Sequence, residues 1–245
     1  MAKRHGEAAR YPHGAEQESS QSLVPLESIL GTDELTRRPV RPPDYQTENR
    51  ALAALAKALA DSPRTILQTL ADTILEVFQA DSAGVSLLTT HDGEQRFYWP
   101  AIAGEWKAHV GGGTPRDFGP CGDVLDCNAP LLFKHFERRY PYLLRATPAA
   151  VEVLLIPFRI HGKAVGTIWA MAHDERRKFD AEDLRQLESL GRFASAAYQA
   201  THLWQADDAR RAALNLMEEA VQDRQKADKL NVELLASEGR YRTLF

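Results

Sequence analysis

The chain of 245 residues has two cysteines, no apolar run of about 18 residues and no large excess of charge of either sign. Each shortage excludes something. With two cysteines and no secretory signal there is no disulfide framework, and both thiols are expected to be reduced. Lys3 and Arg4 are not followed by an apolar segment, so the start of the chain has no signal-peptide pattern. A soluble cytoplasmic protein with no membrane partner is the expectation. Thirty basic and 34 acidic residues leave a formal charge of −4, and no Lys/Arg block is interleaved with aromatics, so nucleic acid is not an expected partner. Gly111 to Gly113 lacks the Gly-Lys-Ser/Thr that completes a phosphate loop and reads instead as a hinge.

A hydrophobic content of 44% is enough for one sizeable core, and it begins late. Residues 1–46 hold five of the thirteen prolines and the polar run EQESSQS, which predicts a disordered or weakly structured tail with at most a helical turn at PLESIL. From Thr47, a candidate N-cap, Leu52, Leu55, Ala56 and Leu59 recur at helical spacing. A second helix opens near Ser62 with Pro63 in its first position and puts Ile66, Leu67, Leu70, Ile74, Val77 and Phe78 on one face.

Two hairpins follow. Residues 82–90 and 94–102 flank His91-Asp92-Gly93, and residues 151–160 and 163–172 flank His161-Gly162. In the second pair Leu154, Ile156 and Phe158 alternate with Val153 and Leu155, so the strand is apolar on both faces and must be covered on both. The helices cover one face. Residues 103–150 are left to cover the other, with helical turns at 120–127 and 135–148 and a strand at 130–134. A segment of that length inside a compact domain is a candidate for function.

After Ala181 the chain reads as about 60 residues of helix with no proline, with Asp180 as its N-cap. Leu184, Leu187, Leu190, Phe193, Ala194 and Ala197 form a core-facing stripe. Beyond it, positions 206, 213, 220, 227, 234 and 241 alternate with 209, 216, 223, 230, 237 and 244 as a heptad seam. The seam is rich in alanine and interrupted by Asp223 and Ser237, which predicts a marginal coiled coil and a homodimer.

The order helix, hairpin, long covering segment, hairpin, long helix resembles the GAF domain, a sensory fold. The resemblance covers 47–205 and is carried by TPRDFGPCG, with Arg116 and Cys121, and by IPFRIHGKAVGTIWAMAHDERRKFDAEDLRQLESLG, with Gly162, Gly166, Asp174, Arg177, Phe179, Asp180 and Leu184. It implies an α+β fold with an antiparallel sheet of five to six strands, helices on one face and a lid on the other. The closing EGRYRTLF resembles the start of a PAS domain in bacterial sensor histidine kinases. The implied organisation is tail 1–46, GAF domain 47–205, signalling helix 206–238 and PAS start 239–245, in a two-component signalling protein whose kinase activity lies downstream, so that this region is not itself an enzyme.

A GAF pocket would bind a small ligand. The candidate residues are Trp99, Trp106, His109, Arg116, Cys121, His135, Tyr140, Tyr142 and Trp169, with Tyr98 as a further aromatic. Trp99 and Trp169 have a core reading beside the stacking one, and Arg116 an ion-pair reading with Asp117 or Asp123. Cys121 and Cys127 are six positions apart, which is not zinc-site spacing, and no metal is expected. A bilin thioether, haem on His109 or His135, a thiol redox sensor, a GAF-type methionine sulfoxide reductase with Cys121 activated by Arg116 and resolved by Cys127, and a buried inert cysteine all remain open. A ligand-free dimerisation scaffold is the remaining alternative.

Overall fold

A computed structural model describes residues 24–91 and 93–242. The expectations for residues 1–23, Asp92 and 243–245 lie outside the described residues, as do the side chains of Leu230, Leu234, Ser237 and Tyr241 in the seam. A 3-10 turn at Leu26–Ile29 and a short helix α1 (Glu34–Arg37) precede α2 (Tyr45–Asp61) and α3 (Ile66–Phe78). Asp44, and not Thr47, caps α2, because its carboxylate accepts the Thr47 N–H at 3.0 Å.

Six strands make one antiparallel sheet: β1 (Ser82–His91), β2 (Glu94–Gly104), β3 (Gly113–Pro115), β4 (Leu131–Lys134), β5 (Glu152–Ile160) and β6 (Lys163–Ala172), in the order β3-β2-β1-β6-β5-β4. The segment between β3 and β4 contains α4 (Pro120–Cys127), and 3-10 turns at Phe136–Arg138 and Pro141–Arg145 follow β4. Helix α5 (Ala181–Arg242) ends the described chain. It begins with a reciprocal cap: Asp183 N–H donates to Asp180 Oδ1 at 3.0 Å, and Asp180 N–H to Asp183 Oδ2 at 2.8 Å.

The sheet separates two apolar clusters, and strand alternation assigns residues to them. On one face, Leu154, Ile156 and Phe158 of β5 and Ile168 and Ala170 of β6 pack with Leu70, Ile74 and Phe78 of α3 and Leu187, Leu190 and Ala194 of α5. On the other, Val153, Leu155, Trp169 and Met171 meet Trp106, Val124, Phe136 and Leu143 of the covering segment. Contact with α5 is close. A Cβ on Gly191 would stand 2.7 Å from Ile156 Cδ1, so a larger residue here would require the Ile156 side chain to shift.

Residues 24–44 depart from the expectation of a weakly structured tail. Leu30 bridges Phe133, Gly31 N–H donates to Leu132 O at 2.8 Å, and Thr32 Oγ1 accepts the Leu132 N–H at 3.1 Å, so this strap covers the free edge of β4. Ile29 and Leu35 are buried. Arg38 then binds the buried Glu152 carboxylate through both terminal nitrogens, at 2.9 and 2.6 Å, and Arg41 reaches Asp180 at 2.6 Å and Asp183 at 2.5 Å. Proline content misled here. A segment with few apolar residues still orders when two of them enter an existing core and its arginines meet buried carboxylates.

The same end of α5 is tied to α2. Arg185 donates to Glu182 at 2.7 and 2.8 Å and to Glu48 at 2.7 Å, and it holds the Glu182 carboxyl below the usual carboxylate range. A depressed folded pKa adds stability above the unfolded value of about 4.3, and that stability is lost as pH falls through the folded value. Arg185→Gln is therefore expected to lower stability at neutral pH and to converge on the parent protein as pH falls from about 5 to 3, which flattens the acid side of the stability–pH profile. Urea unfolding at a series of pH values reads this directly; parallel profiles would reject it.

The described residues divide into two compact units, one ending at Ala200 and one beginning at Thr201. In the second, α5 carries exposed Leu203, Leu214, Leu216, Met217 and Val221, with the seam alanines Ala206, Ala209, Ala213 and Ala220 also exposed. No helix among the described residues is long and apolar enough to cross a membrane.

Candidate functional site

The covering segment is fixed to the sheet by polar contacts as well as by packing. Trp106, in the 3-10 turn Glu105–His109, inserts its indole among Trp99, Phe136, Trp169 and His173, with ring centroids 6.0 to 6.2 Å away. Its indole N–H donates to Pro148 O at 2.8 Å and its backbone N–H to Ser82 Oγ at 3.0 Å. The Ser82 hydroxyl also lies 2.8 Å from His173 Nε2, while His173 Nδ1 lies 2.8 Å from Ala149 O. A neutral His173 with its proton on Nδ1 satisfies every member of that chain: Trp106 donates to Ser82, Ser82 to Nε2, and Nδ1–H to the carbonyl. Tyr142 O–H donates to Phe118 O at 2.8 Å, and Tyr140 O–H to Asp123.

Between this segment and the sheet lies a cavity of about 20 Å³. Its walls come from Trp99 (β2), Trp106, Thr114 (β3), Pro120 and Cys121 (α4), Phe136, Leu143, Val153 and Leu155 (β5), and Trp169 and Met171 (β6). Trp169 lies flat across Gly84, where a Cβ would stand 2.4 Å from Cζ2, so the bare glycine of β1 shapes this wall. Its indole N–H donates to Ser86 Oγ at 3.0 Å. Trp99 Nε1 and Thr114 Oγ1 are different. Both are buried and neither has a hydrogen-bond partner. The Thr114 hydroxyl neighbours the Cys121 sulfur without the geometry of a hydrogen bond to it. An orphaned buried polar atom costs about 1–3 kcal/mol, and two in one wall need a reason.

Of the nine candidate residues, the cavity brings together Trp99, Trp106, Cys121 and Trp169. His109 stacks edge-on against the outer side of Trp106, 5.4 Å between centroids, and does not border the cavity. Arg116 turns to Asp126, at 2.6 and 3.3 Å, where the sequence suggested Asp117 or Asp123; one and three-quarter turns of α4 bring Asp126, beyond both, to its guanidinium. His135 sits half-exposed near Glu137 and Glu175. Tyr140 and Tyr142 pack with Phe118 behind α4, and Tyr98 is exposed. Sequence reading missed Thr114, Phe136, Leu143 and Met171. Alternation from Trp169 pointed to Met171, but the three-residue β3 that presents Thr114 left no periodic signal.

The cysteines are separated by the helix that carries them. Cys121 and Cys127 span α4, a rise of about 9 Å, whereas a disulfide needs Cα atoms within about 7 Å; Cys127 cannot resolve Cys121 while α4 is formed. Cys121 is buried and accepts the Thr167 hydroxyl at 3.3 Å, and Cys127 is exposed. Burial pushes the Cys121 thiol up, against the smaller pull of the Ser86, Thr167 and Thr114 hydroxyls. That is the opposite of the activation that Arg116 would supply. A tetrapyrrole does not fit either: the cavity has room for about one or two waters, and neither His109 nor His135 reaches it.

No curated protein matched the chain. Among solved structures, the GAF domain of an Acinetobacter phosphoenolpyruvate-protein phosphotransferase is 16% identical, with a TM-score of 0.53, covering 65% of this chain and 94% of that one. The free methionine-R-sulfoxide reductase of Neisseria meningitidis, in complex with its substrate, is 15% identical at a TM-score of 0.53, covering 68% and 96%. A far-red absorbing dark state with bound biliverdin is 13% identical at 0.53, covering 64% and 99%. Identities this low speak to the fold alone. The family model described as a GAF domain matches residues 60–199, more than half of the sequence, and the protein therefore belongs to the GAF domain family of ligand-binding signalling modules.

Proposed function

We propose that this chain is the sensory and dimerisation region of a cytoplasmic bacterial signalling protein, a sensor histidine kinase in which EGRYRTLF opens a PAS domain. A small ligand in the cavity sets the packing of the covering segment, and the sheet passes that state to α5. The observation that carries the reading is the two-sidedness of β5 and β6. Val153, Leu155, Trp169 and Met171 face the cluster around the cavity, and the residues between them, Leu154, Ile156, Ile168 and Ala170, face the cluster that includes α5. A ligand that displaces one set moves the backbone that carries the other against Leu187, Leu190 and Gly191. Interiors packed this closely switch between discrete arrangements and do not deform smoothly.

Downstream, the alanine-rich seam of α5 pairs two copies weakly enough for a modest bias at the first turns to change their register. Sedimentation velocity of the full chain should show a concentration-dependent monomer–dimer equilibrium that Leu216→Glu shifts toward monomer. A monomer at every concentration would remove the route for transmission.

A further inference from the structure

We propose that the cavity takes an uncharged molecule of a few heavy atoms that presents one hydrogen-bond acceptor, such as a carbonyl or sulfoxide oxygen, to the Trp99 indole N–H and the Thr114 hydroxyl. The assignment rests on the ligand-sensing reading above and gives it a chemical class. Three tryptophans line the cavity, and two have their indole N–H occupied, Trp106 by Pro148 O and Trp169 by Ser86 Oγ. If these indoles served packing alone, the third would be expected to find a partner as well. Trp99 instead keeps a donor-only group buried and unpaired, and Thr114 keeps a hydroxyl in the same condition.

The two residues share one wall. Thr114 pairs with Phe97 across β3 and β2, Trp99 lies two residues beyond Phe97 on the same face, and the Trp99 backbone N–H donates to Gly112 O at 3.0 Å. Charge decides the rest. None of the lining side chains is acidic or basic, and Arg116, the cation nearest in sequence to this wall, is held by Asp126. An anion would enter without a counter-charge, and a cation without a carboxylate; either loses its hydration uncompensated. Tryptophan, phenylalanine, leucine and methionine surfaces suit the apolar body of a neutral molecule, and since the space holds about one or two waters, a molecule of a few heavy atoms enters only as Phe136 and Leu143 give way.

The test uses the full chain labelled with ¹⁵N and follows the Trp99 indole N–H resonance, assigned with Trp99→Phe. Acetamide and dimethyl sulfoxide serve as neutral acceptors, nitrate as an anion of similar size, and xenon as an apolar atom. Both neutral acceptors are expected to shift the Trp99 signal saturably. Thr114→Val keeps the shape and removes the hydroxyl, so it should weaken their binding at least tenfold while leaving xenon binding and the thermal midpoint intact. Unchanged affinity in Thr114→Val, or a cavity that takes nitrate or xenon and neither neutral acceptor, would overturn the assignment while leaving a ligand-binding cavity in place. If no probe of any class perturbs Trp99, Trp106 or Trp169, the assignment and the sensing reading fall together.

Discussion

Replacing Trp106 by alanine is expected to destabilise the domain by about 3–5 kcal/mol, the range for large aromatic truncations in a core. The indole is 2% exposed and meets Trp99, Phe136, Trp169 and His173 in addition to His109. Truncation empties the centre of that cluster and also leaves Pro148 O without its donor. Strands β3 and β4 stay paired with β2 and β5, and Arg159 still holds Asn128 at the end of α4, so the loss should fall unevenly. Amide exchange should accelerate most over residues 105–148 and least in α3, which packs on the far face of the sheet. Chemical denaturation gives the magnitude and exchange gives the location. A cost below about 1 kcal/mol, the centre of the distribution for ordinary substitutions, with uniform exchange would mean that Trp106 does not organise this face.

Removing Arg38 is expected to cost about 3 kcal/mol, the lower end of the range for breaking a buried ion pair, which for a domain of this size lowers the thermal midpoint by about 6–12 °C. The Glu152 carboxylate is fully buried and accepts both terminal nitrogens of Arg38. It keeps Lys178 at 3.3 Å and the Phe179 N–H at 3.2 Å, which is why the low end applies. Arg38 also donates to Phe179 O and pairs with Glu34 at 2.5 Å, so its loss leaves Arg41, on Asp180 and Asp183, as the strap's remaining ion-pair tie to the start of α5. Arg37→Ala is the control. That side chain is 75% exposed and pairs with an exposed Asp33 at 3.4 Å, so it should change stability by no more than a few tenths of a kcal/mol. Arg38→Met combined with Glu152→Leu should recover part of the loss, since an apolar pair needs no desolvation of charge. If Arg38→Ala and Arg37→Ala behaved alike, the strap would be an ornament on an independently stable domain.

Both substitutions act on contacts that sequence separation hides: Arg38 and Glu152 are 114 residues apart, and Trp106 meets Pro148 across 42. Local pattern had shown the partners' elements without showing that they meet. In β5 the period of two named both faces correctly, because a strand between two clusters must alternate whatever its neighbours are. In α3 and at the start of α5 the 3.6-residue period named the buried side chains for the same local reason. The strap failed on composition. Proline and charge describe what a segment can do alone, and this one is held by groups that exist only after the sheet has formed.

The sequence by itself determined the order of the main helices and the two hairpins, the two-sided central strands and the Asp180 cap, since periodicity, turn chemistry and capping are properties of neighbours along the chain; the type of fold came from the resemblance its motifs carry. Tertiary structure alone decided the site. It gathered four of nine candidate residues around a cavity, turned Arg116 to Asp126, put Cys121 and Cys127 out of each other's reach, and left Trp99 and Thr114 unpaired. Whether a buried donor finds an acceptor depends on the packing of strands and turns distant in sequence, and no local pattern encodes that distance.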